Sequence, residues 1–319
     1  MSYNLLLTVL GGLALLFILL AMFSRRTARR IEAFLPPTGG FVEVEGVRLH
    51  VRDEGRGPAI LMIHGLGGQM AHFNYGAVRA LSSRYRVVAV DRPGSGYSTR
   101  PDGVPADLST QARAIAALID RLGLERPTVV GHSLGGATAL TLALEHPRQV
   151  GALALLAPLT HAPEAVPAVF RSMTIDTGWL RRLFAATLAV PLGILGSKPI
   201  LRDVFGPEGV PQDFATRGGG LLGLRPAAFL AGSADLQALA GHMPRIEGRY
   251  GELRLPVHVL FGRGDRLLDW RTNGQALVDK VPGAQLQLVD GGHMLPVTQP
   301  DVTANFIEDV VAARLALAS

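Results

Sequence analysis

The chain has no cysteine, which excludes disulfide bonds and thiolate metal sites and leaves its redox compartment open. Its nine histidines form no metal-ligand cluster. Residues 1–30 contain no acidic side chain but hold Arg25, Arg26, Arg29 and Arg30, so this one segment supplies most of the formal charge of +5. The rest of the chain is nearly balanced. It lacks the basic stripe that phosphate binding needs, and a nucleic-acid partner is discounted.

Residues 5–23 lack charge altogether and approach the length of a helix that spans a bilayer. No positive charge precedes this run beyond the amino terminus, and no clear A-x-A-like site closes it. A retained single-pass membrane anchor is therefore favoured over a cleaved signal peptide or a buried core helix. The arginines flank the run on its C-terminal side, which places that side and the domain after it in the cytoplasm by the positive-inside rule. Pro36, Pro37, Gly39 and Gly40 predict a linker, giving an anchor-and-linker region over residues 1–40.

What the remainder does contain is enough apolar surface, in 319 residues at 48% hydrophobic, for a sizeable core. Strand-like runs alternate with helical patterns from Phe41 onward, which predicts a single α/β domain. The stretch that organises it is Thr128 to His146. A short apolar run ends at Gly131-His132-Ser133-Leu134-Gly135, and apolar residues recur at helical spacing immediately afterwards. A strand that turns into a helix at a serine, with glycines on either side, is the pattern of a nucleophile elbow. The helix N-terminus there offers free N–H groups and a positive dipole end to an oxyanion.

Two further residues follow in the order serine, acid, histidine, each in a loop past an apolar run. Asp265 closes VLFGRGD and His293 follows LQLVDGG. Asp269, four residues on, is the competing acid, and the residues alone leave both open. Upstream, AILMIHG runs into Leu66-Gly67-Gly68, where glycines let backbone approach a ligand; this loop is the candidate for the second half of an oxyanion hole. His64 reads as a loop-bracing partner, and Asp91 as the residue that holds the glycine-rich turn after RVVAV. Leu108 to Leu122, closed by Gly123, predicts a helix.

These motifs together resemble the α/β-hydrolase fold, in the branch that carries an inserted cap and includes esterases, C–C bond hydrolases and epoxide hydrolases. The resemblance covers about Phe41 to Leu317. It implies a mostly parallel central sheet, with a core of residues 41–158 and 251–319 and a helical cap over 159–250. It also implies a triad of Ser133, Asp265 and His293, with the backbone N–H groups of Leu66 and Leu134 as the oxyanion hole, and no cofactor or metal. The cap is rich in aliphatic residues and carries Phe170, Trp179, Phe184, Phe205, Phe214 and Phe229, so a pocket beneath it should be apolar, although each of these could instead belong to the cap's own core.

The expected function is a serine hydrolase cleaving a small apolar ester. Epoxide hydrolases and haloalkane dehalogenases of this fold use an aspartate at the elbow, where this chain has serine. The cap tyrosines of similar epoxide hydrolases are also missing, because no tyrosine lies between Leu159 and Arg249. C–C bond, thioester or amide hydrolysis, acyl transfer to an alcohol and perhydrolase chemistry stay open, as does a membrane-tethered binding protein without turnover. The oligomeric state is not readable from the chain.

Overall fold

The computed structural model describes residues 3–163 and 165–317. After helix α1 (Tyr3–Phe34), strands β1 (Gly40–Val44) and β2 (Val47–Glu54) form a hairpin. Its two-residue turn places Glu45 at φ +48° and Gly46 at φ +75°, the positive-φ pair that matches strand twist. There follow β3 (Ala59–Ile63), α2 (Ala77–Leu81), β4 (Arg86–Val90), α3 (Leu108–Leu122), β5 (Thr128–His132), α4 (Leu134–Glu145) and β6 (Ala152–Leu156). Helix α3 has the ends its sequence predicts. Asp107 Oδ1 accepts the Thr110 N–H at 2.8 Å, and Gly123 closes the helix at φ +60°.

The chain then leaves the sheet for about a hundred residues, which include α5 (Gly178–Thr187), α6 (Ala189–Phe205) and α7 (Pro226–Glu247). It returns as β7 (Val257–Gly262), α8 (Ala276–Val278), β8 (Gln285–Val289), α9 (Leu295–Thr298) and α10 (Pro300–Ala316). The eight strands make one sheet in the order β1-β2-β4-β3-β5-β6-β7-β8. The pairs β1–β2 and β2–β4 are antiparallel, and every pair from β4 to β8 is parallel.

Parallel strands need crossovers, so helices cover both faces and the strands are apolar on both sides. In β3, Leu61 and Ile63 join the core shared with α3 and α4, while Ile60 and Met62 join the core shared with α2 and α10. The alternation is the two-residue period of a strand. Helix α7 is joined to the sheet body by a buried charge cluster. Asp235 on α7 accepts from Arg92 at 2.8 Å and from Arg100 at 2.6 Å, with Arg92 and Asp235 fully buried.

Helix α1 divides into two parts. No residue in its most apolar stretch is buried, and this is the one long helix among the described residues apolar enough to cross a membrane. Its C-terminal part lies on the body: Ser24 Oγ donates to Thr187 O at 3.2 Å, and Glu32 pairs with Arg225 at 3.1 Å. Beyond the helix, the Tyr97 hydroxyl donates to Leu35 O, and His50 Nε2 donates to Thr38 O at 2.7 Å. Residues 24–38, expected to be arginine flank and linker, are thus packed against the body. Pro36 and Pro37 cannot continue the helix, and the carbonyls on either side of them, of Leu35 and Thr38, are met by side chains of the body.

Candidate active site

In a parallel sheet the carboxyl ends of the strands share one edge, and the loops beyond them converge there. Ile63 of β3 lies opposite Gly131 of β5, His132 opposite Leu156 of β6, and Gly262 of β7 opposite Val289 of β8. The sequence-predicted residues Leu66, Ser133, Asp265 and His293 all lie within six residues of those positions.

Ser133 sits between β5 and α4 at φ +54°, ψ −121°, a conformation that costs a non-glycine residue strain and needs a surrounding structure to hold it. Its N–H donates to Leu156 O at 3.1 Å. Its carbonyl accepts from Gly136 N at 2.8 Å and Leu159 N at 2.9 Å. The elbow is therefore tied to the next strand. Closeness of the neighbouring backbone explains the glycines: a Cβ on Gly65 would stand 2.8 Å from Ser133 Cβ, and one on Gly135 would stand 2.2 Å from Ile63 O. The Gly65-Leu66 backbone consequently passes directly beside the serine. Leu134 is the first residue of α4, where a helix N–H has no acceptor within the helix.

His293 and Asp265 form a buried pair. His293 Nδ1 lies 2.7 Å from Asp265 Oδ2, with side-chain exposures of 4% and 1%. Asp265 Oδ1 accepts from the N–H groups of Leu267 at 2.8 Å and Leu268 at 3.0 Å, so the loop itself aims the carboxylate. Asp269 is elsewhere. It is half exposed, accepts from Arg271 N at 2.6 Å and pairs loosely with the Arg271 side chain, so the structure brings Asp265 and not Asp269 to the histidine.

His132 and His72, which sequence reasoning did not single out, stand on the cavity wall with this pair. His132 Nε2–H donates to His293 O at 3.0 Å, while His132 Nδ1 and His72 Nδ1 are buried without a hydrogen-bond partner. Burial, the largest cause in each case, holds His132 well below the usual histidine range and His72 down to about 4. Both are thus neutral rings on the cavity wall. His64 braces its loop: Nδ1–H donates to Gly65 O and Nε2 accepts from Arg92 N, which requires the neutral ring, and burial together with the Arg92 charge lowers its pKa well below normal. Asp91 does the same for the adjoining turn, accepting from Met70 N at 2.7 Å and Tyr97 N at 2.9 Å and pairing with His50.

Glu208, just beyond α6, reaches across to the histidine loop. Its Oε2 accepts the Gly292 N–H at 2.7 Å, and its Oε1 accepts from Thr298 and Gln299. No local pattern marks this residue, because its partners are more than 80 positions away.

These walls enclose a cavity of about 610 Å³ in which Leu66, Ser133 and His293 meet Phe170, Phe184, Phe214 and Phe229. Of the six cap aromatics singled out in the sequence, two are absent from its wall. Phe205 is buried against Phe214 and the histidine-loop residue Met294, and Trp179 is 68% exposed. Among the described residues no group of three His, Asp or Glu side chains could hold a metal ion.

An alpha/beta hydrolase fold profile matches residues 58–300. An uncharacterized protein of Mycobacterium tuberculosis is 32% identical over 294 residues, covering 90% of this chain and 84% of the relative. A 2-hydroxy-6-oxononadienedioate/2-hydroxy-6-oxononatrienedioate hydrolase of Comamonas testosteroni is 29% identical over 248 residues, 76% of this chain and 82% of its own length. The crystal structure of a membrane phospholipase A shares the fold at a TM-score of 0.70 with 24% identity, covering 98% of this chain and 97% of that one. With the profile spanning most of the chain and the sheet, elbow and loops arranged as described, the protein is a member of the α/β-hydrolase fold family.

Proposed function

We propose that the protein is a serine hydrolase that cleaves an apolar carboxylic ester through an acyl-enzyme. Ser133 acts as nucleophile, His293 as base and then acid, and Asp265 as the group that orients and stabilises the imidazolium. The observation that carries this reading is a cavity lined by both Ser133 and His293, with His293 Nδ1 bonded to Asp265. That bond keeps one proton on Nδ1 and leaves Nε2 as the proton acceptor.

In acylation Nε2 takes the Ser133 Oγ proton as Oγ bonds to the carbonyl carbon, and the C=O π pair moves onto oxygen. The N–H groups of Leu66 and Leu134 stabilise this oxyanion. When it collapses, the bond to the alcohol oxygen breaks and the alcohol leaves with the proton from Nε2. Water then adds by the same route, with His293 removing its proton, and the acid departs from Ser133. The reaction as written draws on no cofactor.

The phenylalanine-lined wall supports an apolar acyl group. Each methylene buried there is worth about 0.8 kcal/mol, so kcat/KM should rise with acyl length until the cavity is full. The uncharged, unburied run of α1 and its arginine flank support a single-pass anchor with the catalytic domain on the cytoplasmic side. C–C bond hydrolysis is the second reading, favoured by the likeness to the Comamonas enzyme.

The test is fluorophosphonate labelling of the full chain, lost in Ser133→Ala, together with hydrolysis of p-nitrophenyl esters from acetate upward. An unlabelled native chain would refute the serine mechanism. Labelling without cleavage of any ester would move the reading to C–C or amide bonds.

A further inference from the structure

Helices α5 and α6 meet at a corner that exposes large apolar side chains the protein itself does not cover. Trp179 is 68% exposed and Leu195 78%, and Leu180, Leu183, Leu192 and Ile194 are each more than a third exposed. The corner, a bend of 73° at Leu188, has a defined position relative to α1. Thr187, the last residue of α5, accepts from Ser24 Oγ, and Ser24 is the first residue after the uncharged run 5–23. The apolar part of α1 therefore begins at the level of the corner, and a hydrocarbon layer around that part would reach the α5–α6 side chains.

Charge follows the same pattern. Arg25 and Arg26, the two residues after Ser24, are exposed at this level, where they suit the anionic headgroups of a bilayer surface, and Arg182 on α5, in a 3.7 Å pair with Asp102, and Lys198 on α6 are exposed as well. A tryptophan beside cations and aliphatic side chains is the composition of an interfacial helix. The cavity shares a wall with this corner: Leu192 and Ile200 of α6 line it and are 49% and 36% exposed.

We infer that the α5–α6 corner is a second membrane contact besides α1. It seats the cavity mouth in the headgroup–acyl boundary of a phospholipid bilayer, so that the acyl chain of a bilayer-resident ester passes into the cavity without crossing water. The identity of the substrate as an ester rests on the proposed function; the membrane contact does not.

The full chain carrying Trp270→Phe, in which Trp179 is the one remaining tryptophan, is reconstituted into phosphatidylcholine–phosphatidylglycerol vesicles with and without phosphatidylcholine brominated near the headgroup end of its acyl chains. Emission from Trp179 should fall about twofold in the brominated vesicles at every protein density. In a Trp179→Gln/Leu195→Gln variant, both positions being outside the cavity wall, turnover of a long-chain ester embedded in vesicles should drop about tenfold while a soluble short-chain p-nitrophenyl ester is cleaved as before.

Emission insensitive to bromine would overturn the inference. So would unchanged vesicle turnover in the double variant, or shielding of Trp179 that depends on protein density and not on lipid, which would mark a second copy on the corner. Bromine quenching in a chain that cleaves no ester would remove the ester reading and leave the membrane contact supported.

Discussion

Acid should destabilise this protein well before its carboxylates titrate, and the buried histidines around the cavity set the size of the effect. His64, His72 and His132 are each held neutral, with burial as the leading cause. For His72, burial and the neighbouring His293 lower the pKa against an opposing pull from Asp91, leaving it at about 4. A histidine depressed in the folded state contributes stability that is present above its unfolded value near 6.5 and is lost as pH falls through the folded value. Between those limits the unfolded chain binds the extra proton.

At about 1.4 kcal/mol per pH unit, His72 alone accounts for roughly 2 kcal/mol of lost stability by pH 5, and His64 and His132 act in the same direction. Total folding stability is commonly only about 5–15 kcal/mol, so the loss is a large share. The assay is the thermal midpoint by circular dichroism of the detergent-solubilised chain from about pH 7.5 to about pH 5. The native protein should lose midpoint steeply. In His72→Gln the difference between the two pH values should shrink by about 3 °C, given the shift per kcal/mol expected for a chain of this size. A variant with the same pH dependence as the native chain would refute the assignment of a neutral buried ring at this position.

The remaining predictions concern single contacts. Asp265→Asn should lower turnover by several orders of magnitude, since an amide facing Nδ1 favours the tautomer that cannot accept the serine proton, whereas Asp269→Asn should stay near native; the reverse order would move the acid role to Asp269. Asp235→Ala leaves the buried cations of Arg92 and Arg100 without their counter-charge and should cost about 3–5 kcal/mol in denaturant unfolding; a loss below about 1 kcal/mol would show the cluster to be dispensable. Gly65→Ala puts a methyl group against Ser133 and should reduce kcat/KM by about tenfold or more with little change in thermal midpoint, so near-native turnover would contradict the close approach. Glu208→Ala frees the Gly292 N–H and should lower kcat at nearly constant KM for short esters, while Glu208→Gln, which keeps an acceptor, should recover most of the loss; equal defects in both would assign the effect to charge.

The parts legible in the sequence are those decided locally. The extent of α3 and its stop at Gly123, and the elbow at Ser133, each follow from a few adjacent residues whose backbone demands are specific. Asp265 and His293 could be chosen because both follow apolar runs, and parallel strands bring such loops to one edge. Glu208 could not, since its role depends on where the end of α6 lands against the histidine loop. His72 and His132 carry no signal of their own neutrality, because burial is a property of the assembled walls. The aromatics between β6 and β7 show the same limit: composition forecast an apolar wall, but Phe205 turned to Met294 and Trp179 to the exterior, a choice made by packing and not by residue type.

The stitching of residues 24–38 onto the body has a mechanical consequence. A helix of 32 residues is about 48 Å long and behaves as a stiff mast. This mast is bolted at Ser24 and Glu32, and its foot is held again at Leu35 and Thr38. A slack cord would let the body swivel beneath its attachment, whereas a bolted mast makes body and helix turn together. A sideways load on the upper part becomes torque at the foot, borne by Tyr97 and His50. Both are bonded to Asp91, whose other oxygen holds Met70 N beside the cavity wall. A cut made just before Ser24 would remove the upper mast and keep its footing; a cut at Gly40 would strip the bearing surface from Thr187, Arg225 and Tyr97 as well.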